Sequence, residues 1–412
     1  MRVLLIGHVW PEPRSSAAGR RTLSVLDLFA DLGAELHLAC AAALSELAEF
    51  PAELAITPTE IALNCSSFDR YIAELEPDVV IFDRFMTEEQ YSWRVEKVCP
   101  NALRILDTQD LHCLREARRR AIVAGRAIGV TEEDDWQGDV SLREVASIWR
   151  SDLTLMISRA EIALLQSRFG ITKRQLLYLP LFTKGLTLSP MDYNQRQHCV
   201  VVGNFRHRPN WDGLQWLARE IWPQVRRLAP DIRCHIYGAY PPPKAQALHS
   251  EKAGLLVQGW APDAAAVTAS ARLSLAPLRF GAGQKGKLLE AMEWATPSVT
   301  TSVGAEGMAE ALDWPGKVAD EPRAFAEAIL HLYRDQSAWQ SAADRTEGIV
   351  SKGFEKARYK AEFDRTISAL RAGLDAHRQS NFTGRMLRHH SLRSHQYFSQ
   401  WIEAKSRSQA QQ

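Results

Sequence analysis

The sequence predicts an α/β protein of two doubly wound domains that face a central cleft. Three observations carry this. Short apolar runs alternate with amphipathic stretches, the 412-residue length exceeds a comfortable single core, and residues 182–197 interrupt the rhythm. Strands separated by helical segments need crossover connections, which implies mostly parallel sheets covered on both faces.

In chain order, the strand candidates of the first half are Val3–Val9, Glu35–Ala39, Val79–Asp83, Leu103–Asp107, Leu153–Ile157 and Leu176–Leu181. Helical patterns over Arg20–Leu32, Phe68–Leu75 and Asp110–Ala124 lie between them. The segment Phe182 to Gln197 holds Gly185, Pro190 and polar residues without periodicity, which reads as a hinge. Val200–Val202, Cys234–Tyr237, Leu255–Gln258, Leu273–Ala276 and Val299–Thr301 repeat the rhythm in the second half. The expected organisation is a first domain over 1–185, a hinge over 186–197 and a second domain over 198–355. A helix over 356–380 then crosses back, and a basic amphipathic tail covers 381–412.

The most informative segment is Ala276 to Met292. A strand runs into a turn holding Gly281, Gly283 and Gly286, and a helix opens with Lys285 and Lys287 and carries Glu290 one turn in. Glycines let backbone N–H groups approach a ligand, and a helix start favours an anion. Two lysines add full charge there, and Glu290 shares a helix face with Lys287 and suits the hydroxyls of a ribose. The combination reads as a nucleotide-diphosphate site.

Two first-domain segments also follow strands. Ser15 to Gly19 are small and precede a helix, with Arg14, Arg20 and Arg21 close by as attractors for an anionic acceptor such as a lipid-linked phosphate. Leu106 to Arg115 brings Asp107, Asp110 and His112 to a strand's carboxyl end, where open α/β sheets bind ligands. Asp110 either caps the following helix or contacts a substrate. Ser158-Arg-Ala-Glu161 has the spacing of a capping box and needs no chemistry.

Composition fits an enzyme of ordinary globular type. Charged residues are 24% and the formal net charge is +1, which argues against a nucleic-acid binder. The six cysteines form no close pair, so thiols in a reducing compartment are expected. Neither an export signal nor a membrane-spanning window is visible, giving a cytoplasmic expectation. The tail interleaves Arg385, Arg388, Arg393 and Lys405 with Leu387, Leu392, Phe398 and Trp401, a pattern for peripheral contact with the inner face of the cell membrane, for a partner, or for packing back on the first domain. Its last dozen residues are expected to be disordered.

The run from Ala276 to Met292 resembles the nucleotide-sugar site of the family-4 group of GT-B glycosyltransferases. Val202 to Gly213 is similar to the first strand and turn of their donor domain, Val257 to Asp263 to their base-binding segment, and Pro297 to Gly307 to the strand and loop after the glutamate helix. The resemblance covers roughly residues 198–350 and implies a GT-B fold of two Rossmann-like domains. It implies transfer of a sugar from a UDP- or GDP-linked donor to a glycan, lipid-linked or protein acceptor, with retention of anomeric configuration. No cofactor is expected, and no metal, since no Asp-x-Asp follows a strand. Gly19, Gly203, Arg206, Gly259, Trp260, Gly281, Ala282, Gly283, Gln284, Lys285 and Glu290 are thereby assigned to the donor, with Asp110 and His112 at the transferred sugar. One departure stands out. Many relatives carry a second glutamate where this chain has Ala282. A non-catalytic nucleotide-sugar binding subunit and a nucleotide-sugar epimerase share the architecture and remain alternatives.

Overall fold

The computed structural model describes every residue except Leu188, Glu310, Ala311, Gln411 and Gln412, and all side chains of the rest but that of Ala410. Among the described residues thirteen strands form two sheets. The first contains β1 (Arg2–Gly7), β2 (Glu35–Cys40), β3 (Thr57–Glu60), β4 (Val79–Asp83), β5 (Leu103–Asp107), β6 (Leu153–Met156) and β7 (Leu176–Tyr178). Their order is β3-β2-β1-β4-β5-β6-β7, with every pairing parallel. The second contains β8 (Gln197–Val202), β9 (Cys234–Tyr237), β10 (Leu255–Gly259), β11 (Ala271–Ala276), β12 (Ser298–Thr300) and β13 (Gly316–Val318). Its order is β10-β9-β8-β11-β12-β13, again all parallel.

Side chains of a strand alternate between faces, so a strand buried on both sides feeds two cores. Val3, Leu5, Val79 and Ile81 enter one apolar layer, and Leu4, Ile6, Val80 and Phe82 enter the other. That is why these segments read as continuous apolar runs. In each sheet the chain reverses beside the first strand, between β1 and β4 and between β8 and β11, and the cleft opens at the carboxyl ends there.

Helix Lys356–Ala372 leaves the second domain and buries Phe363 and Ile367 in the first, where Phe363 meets Phe29 edge-on at 5.0 Å. The tail continues as Phe382–Leu387, a π-helical turn Arg388–Leu392 and helix Arg393–Ala410, so the expected disorder of the last dozen residues is corrected through Ala410. One face of the tail is pinned to the first domain. Asn381 donates to the Trp149 carbonyl (2.9 Å), Arg388 to the Arg150 carbonyl (3.0 Å), and Glu403 accepts from the Ser66 hydroxyl (2.7 Å). Among the described residues no helix is long and apolar enough to cross a membrane.

Candidate functional site

A cleft of about 640 Å³ lies between the domains, walled by the loops after β1, β4 and β5 on one side and after β8 and β11 on the other. Asp110, His112, Gly203, Arg206, Ala282, Gln284, Lys285 and Glu290 line it. Gly19, Gly259, Trp260, Gly281 and Gly283 do not.

On the donor wall, β11 ends at Ala276 and the next helix is Gly286–Glu293, with Lys285 at its cap position. The Lys285 ammonium donates to the Gly283 carbonyl, and Lys287 reaches across to the Asn210 side-chain oxygen at 2.7 Å. Burial lowers the pKa of both lysines, that of Lys287 to about 8. Gly203 makes room for this: a Cβ there would sit 2.7 Å from the Asn210 amide and 2.9 Å from the Lys287 ammonium. Burial raises the Glu290 pKa, and Arg20 of the first domain opposes that from 3.7 Å. The Arg206 guanidinium lies 3.7 Å above the Tyr240 ring centre. The Tyr240 hydroxyl in turn donates to Glu12 across the cleft (3.0 Å).

The glycine loop holds the domains together at close range. Gly283 has φ +65°, its N–H donates to Glu161 at 2.6 Å, and a Cβ would sit 2.8 Å from that of Asp110. That N–H is therefore engaged with the first domain, a correction to the expectation of an amide open to a ligand. A Cβ on Gly286 would meet that of Ala17 at 2.6 Å. Ala282 packs into the first domain's apolar layer, while Gln284 accepts from the Leu181 N–H (2.9 Å) and donates to the Gly307 carbonyl (2.8 Å). Gly19 lets its helix pack on the Glu12 backbone, which a Cβ would approach to 2.5 Å. Gly259 adopts φ +79° with open space around it, and Trp260 is exposed.

On the opposite wall, Asp110 pairs with Arg115 and lies 3.4 Å from His112. Burial pushes Asp110 up, yet Arg115, His112 and His207 outweigh it and hold the carboxyl at about 2. Burial takes His112 down to about 3 despite Asp110, so the imidazole is neutral. Asp110 does not cap the helix His112–Val123. Glu144 does, accepting from His112 N–H (3.1 Å) and Cys113 N–H (2.7 Å).

Three expectations shift here. Arg21 is buried against Asp107 (2.7 Å), Arg20 faces Glu290, and Arg14 pairs with Glu49, so the arginines read as acceptor attractors already have partners. Glu161, read as a cap alone, accepts from both Leu111 (3.2 Å) and Gly283 N–H groups and is fully buried between the domains. Burial, reinforced by Asp110, raises its pKa. Third, Arg84 and Tyr240 line the cleft outside every motif, and Arg115 and His207 line it within motifs that gave them no role. Their signal was only their place just after a strand or at the start of a helix.

Residues 196–335 match the family described as Glycosyl transferases group 1. Solved structures share the architecture at low identity. Sucrose-phosphate synthase from Thermosynechococcus elongatus aligns at 13% identity over 90% of this chain and 100% of that one, with a TM-score of 0.64. HepE of Anabaena, solved in complex with UDP-glucose, aligns at 13% identity over 90% and 100%, with a TM-score of 0.65. TarM of S. aureus, solved with UDP, aligns at 14% over 74% of this chain and 58% of that one, with a TM-score of 0.56. No curated protein matches in sequence. Fold and matched domain together define the class: residues 196–335 form a group 1 glycosyltransferase domain, and the two parallel sheets share the architecture of GT-B glycosyltransferase structures.

Proposed function

We propose that the protein transfers a sugar from a UDP-linked donor to an acceptor hydroxyl, with retention of anomeric configuration and without a divalent cation. The observation that carries this is the single cleft in which Lys285, Lys287, Arg206 and Glu290 of one domain face Asp110 and His112 of the other. Glu290 would accept from the ribose hydroxyls. Arg206 and the two lysines would take the diphosphate, and their charge, fixed in a partly buried site, would stabilise the leaving nucleotide as the glycosidic bond breaks. Asp110, ionised, and His112, neutral, would hold the transferred sugar. UDP is favoured over GDP because HepE and TarM were solved with UDP-glucose and UDP respectively.

The protein is to be incubated with a panel of UDP- and GDP-sugars, with and without acceptors, and nucleotide release measured. Acceptor-dependent release of UDP that survives EDTA is expected. Nucleotide binding without release under every condition would favour the non-catalytic subunit. Loss of turnover in EDTA with recovery on adding magnesium or manganese would overturn metal independence.

We also propose that the outward face of the tail contacts anionic membrane. Tyr397, Phe398 and Trp401 stand exposed on the side opposite Ser399 and Glu403, with Lys405 beside them. Aromatic rings flanked by cations suit the headgroup region.

A further inference from the structure

Among the described residues, seven arginines and lysines line the cleft against three carboxylates. A sugar nucleotide carries about two negative charges on its diphosphate, which Arg206, Lys285 and Lys287 of the donor wall would take. The other four cations, Arg14, Arg20, Arg84 and Arg115, stand on the acceptor wall. Arg20 faces Glu290, Arg115 pairs with Asp110, and Arg206 with the two lysines belongs to the donor wall. Arg14 pairs with Glu49 at the rim. Arg84 remains. Its ion pair is with the adjacent Asp83 at 3.7 Å, too long for a hydrogen bond, and Asp83 also accepts from the His8 N–H (3.1 Å) and the Gln109 amide (3.0 Å).

Local energetics select against an arginine here. Arg84 has φ +72° and ψ 159°, a region of backbone space occupied almost only by glycine. It also stands at the start of helix Phe85–Val98, where a cation opposes the helix dipole and no side chain caps the helix. The backbone is held by its own N–H donating to the Asp107 carbonyl at 2.8 Å, and the side chain is thereby turned into the cleft. It lines the cleft together with His8, His112 and His207.

We propose that Arg84 receives an anionic group of the acceptor, a phosphate or a carboxylate, so that the enzyme glycosylates a hydroxyl of an acidic acceptor. This rests on the donor reading above. A guanidinium matches either anion bidentately, and the neighbouring neutral His8 adds a donor without repelling the cation.

Calorimetric titration of the UDP-saturated protein with glycerol 3-phosphate, glucuronate and glucose tests it. One of the two anions should bind roughly tenfold or more tighter than glucose, and which one does so separates phosphate from carboxylate. Arg84→Gln should reduce that anion to the glucose level while UDP affinity holds, and Arg84→Lys should recover part of the loss. Arg84→Gly fits the backbone, so it should melt no lower than wild type yet lose the anion equally. Anions that bind no better than glucose, or that bind Arg84→Gln as well as wild type, overturn the proposal. Failure of wild type to bind UDP would instead sink the donor reading.

Discussion

Lys285 is nine-tenths buried, and burial, which disfavours the charged ammonium, lowers the pKa of both lysines. Replacing Lys285 by methionine removes that cost, so Lys285→Met should melt at or above the wild-type temperature. The same change should weaken UDP binding by about 1.5–3 kcal/mol, the range for a lost charge-assisted hydrogen bond. Glu290→Ala should weaken UDP binding similarly, since it takes away the ribose acceptor and leaves Arg20 without its partner. Titration calorimetry beside a thermal melt separates the two effects, and unaltered affinity in both variants would refute the donor assignment. The same lysines give a pH signature. A diphosphate favours the ammonium form, and Lys287 loses its proton near pH 8 in the empty protein. UDP affinity should therefore hold up to about pH 7 and fall as pH rises through about 8 to 9, by at most about tenfold per unit for each lysine that must take up a proton. A flat profile over that range would show that neither lysine meets the diphosphate.

Elements differ in how plainly the sequence wrote them. β1, β4 and β5 were visible because parallel strands buried on both faces need unbroken apolar residues. β3 and β13 were not. Thr57-Pro-Thr-Glu and Gly316-Lys-Val are edge strands with exposed residues, and only pairing to a neighbour makes them strands. The tail shows the same limit. Its amphipathic pattern was legible, but not which surface its inner face covers. Since Asn381, Arg388 and Glu403 bond to the first domain, a chain ending at Ser380 should melt several degrees lower, contrary to a freely detachable tail. Replacing exposed Tyr397, Phe398 and Trp401 together by serine should leave the melt unchanged and abolish sedimentation with anionic vesicles at low salt. Equal sedimentation of wild type and variant would leave the helix a purely structural brace.

Across the whole molecule, the two domains meet through polar latches around the cleft. Glu161 accepts from Leu111 and Gly283, Arg118 reaches both the Gly281 carbonyl (3.0 Å) and Glu306 (2.6 Å), and Tyr240 reaches Glu12. Removing the Glu161 carboxylate would leave two buried N–H groups without a partner, at about 1–3 kcal/mol each. Glu161→Ala should therefore loosen the closed arrangement, raising the radius of gyration in X-ray scattering without nucleotide and lowering UDP affinity at an unmodified donor site. No change in scattering would show that the remaining latches suffice.

The sequence by itself determined the alternation of strands and helices, the break between two sheets, and the residue types of the strand–glycine–lysine–glutamate run. Each of these follows from short-range periodicity or from chemistry carried within about twenty residues. Tertiary structure decided which groups those residues face. Glu161 and Gly283 are 122 residues apart, and Arg20 and Gly286 are 266 apart, yet each pair is hydrogen-bonded. The strained turn that aims Arg84 depends on the Asp107 carbonyl of the neighbouring strand. No local pattern encodes such pairings, because they exist only after separate strands have been laid side by side and the loops at their carboxyl ends brought together across the cleft. A capping spacing could thus become an interdomain latch, and a run of arginines beside the first strand could spend its charge on partners it meets only in the folded chain.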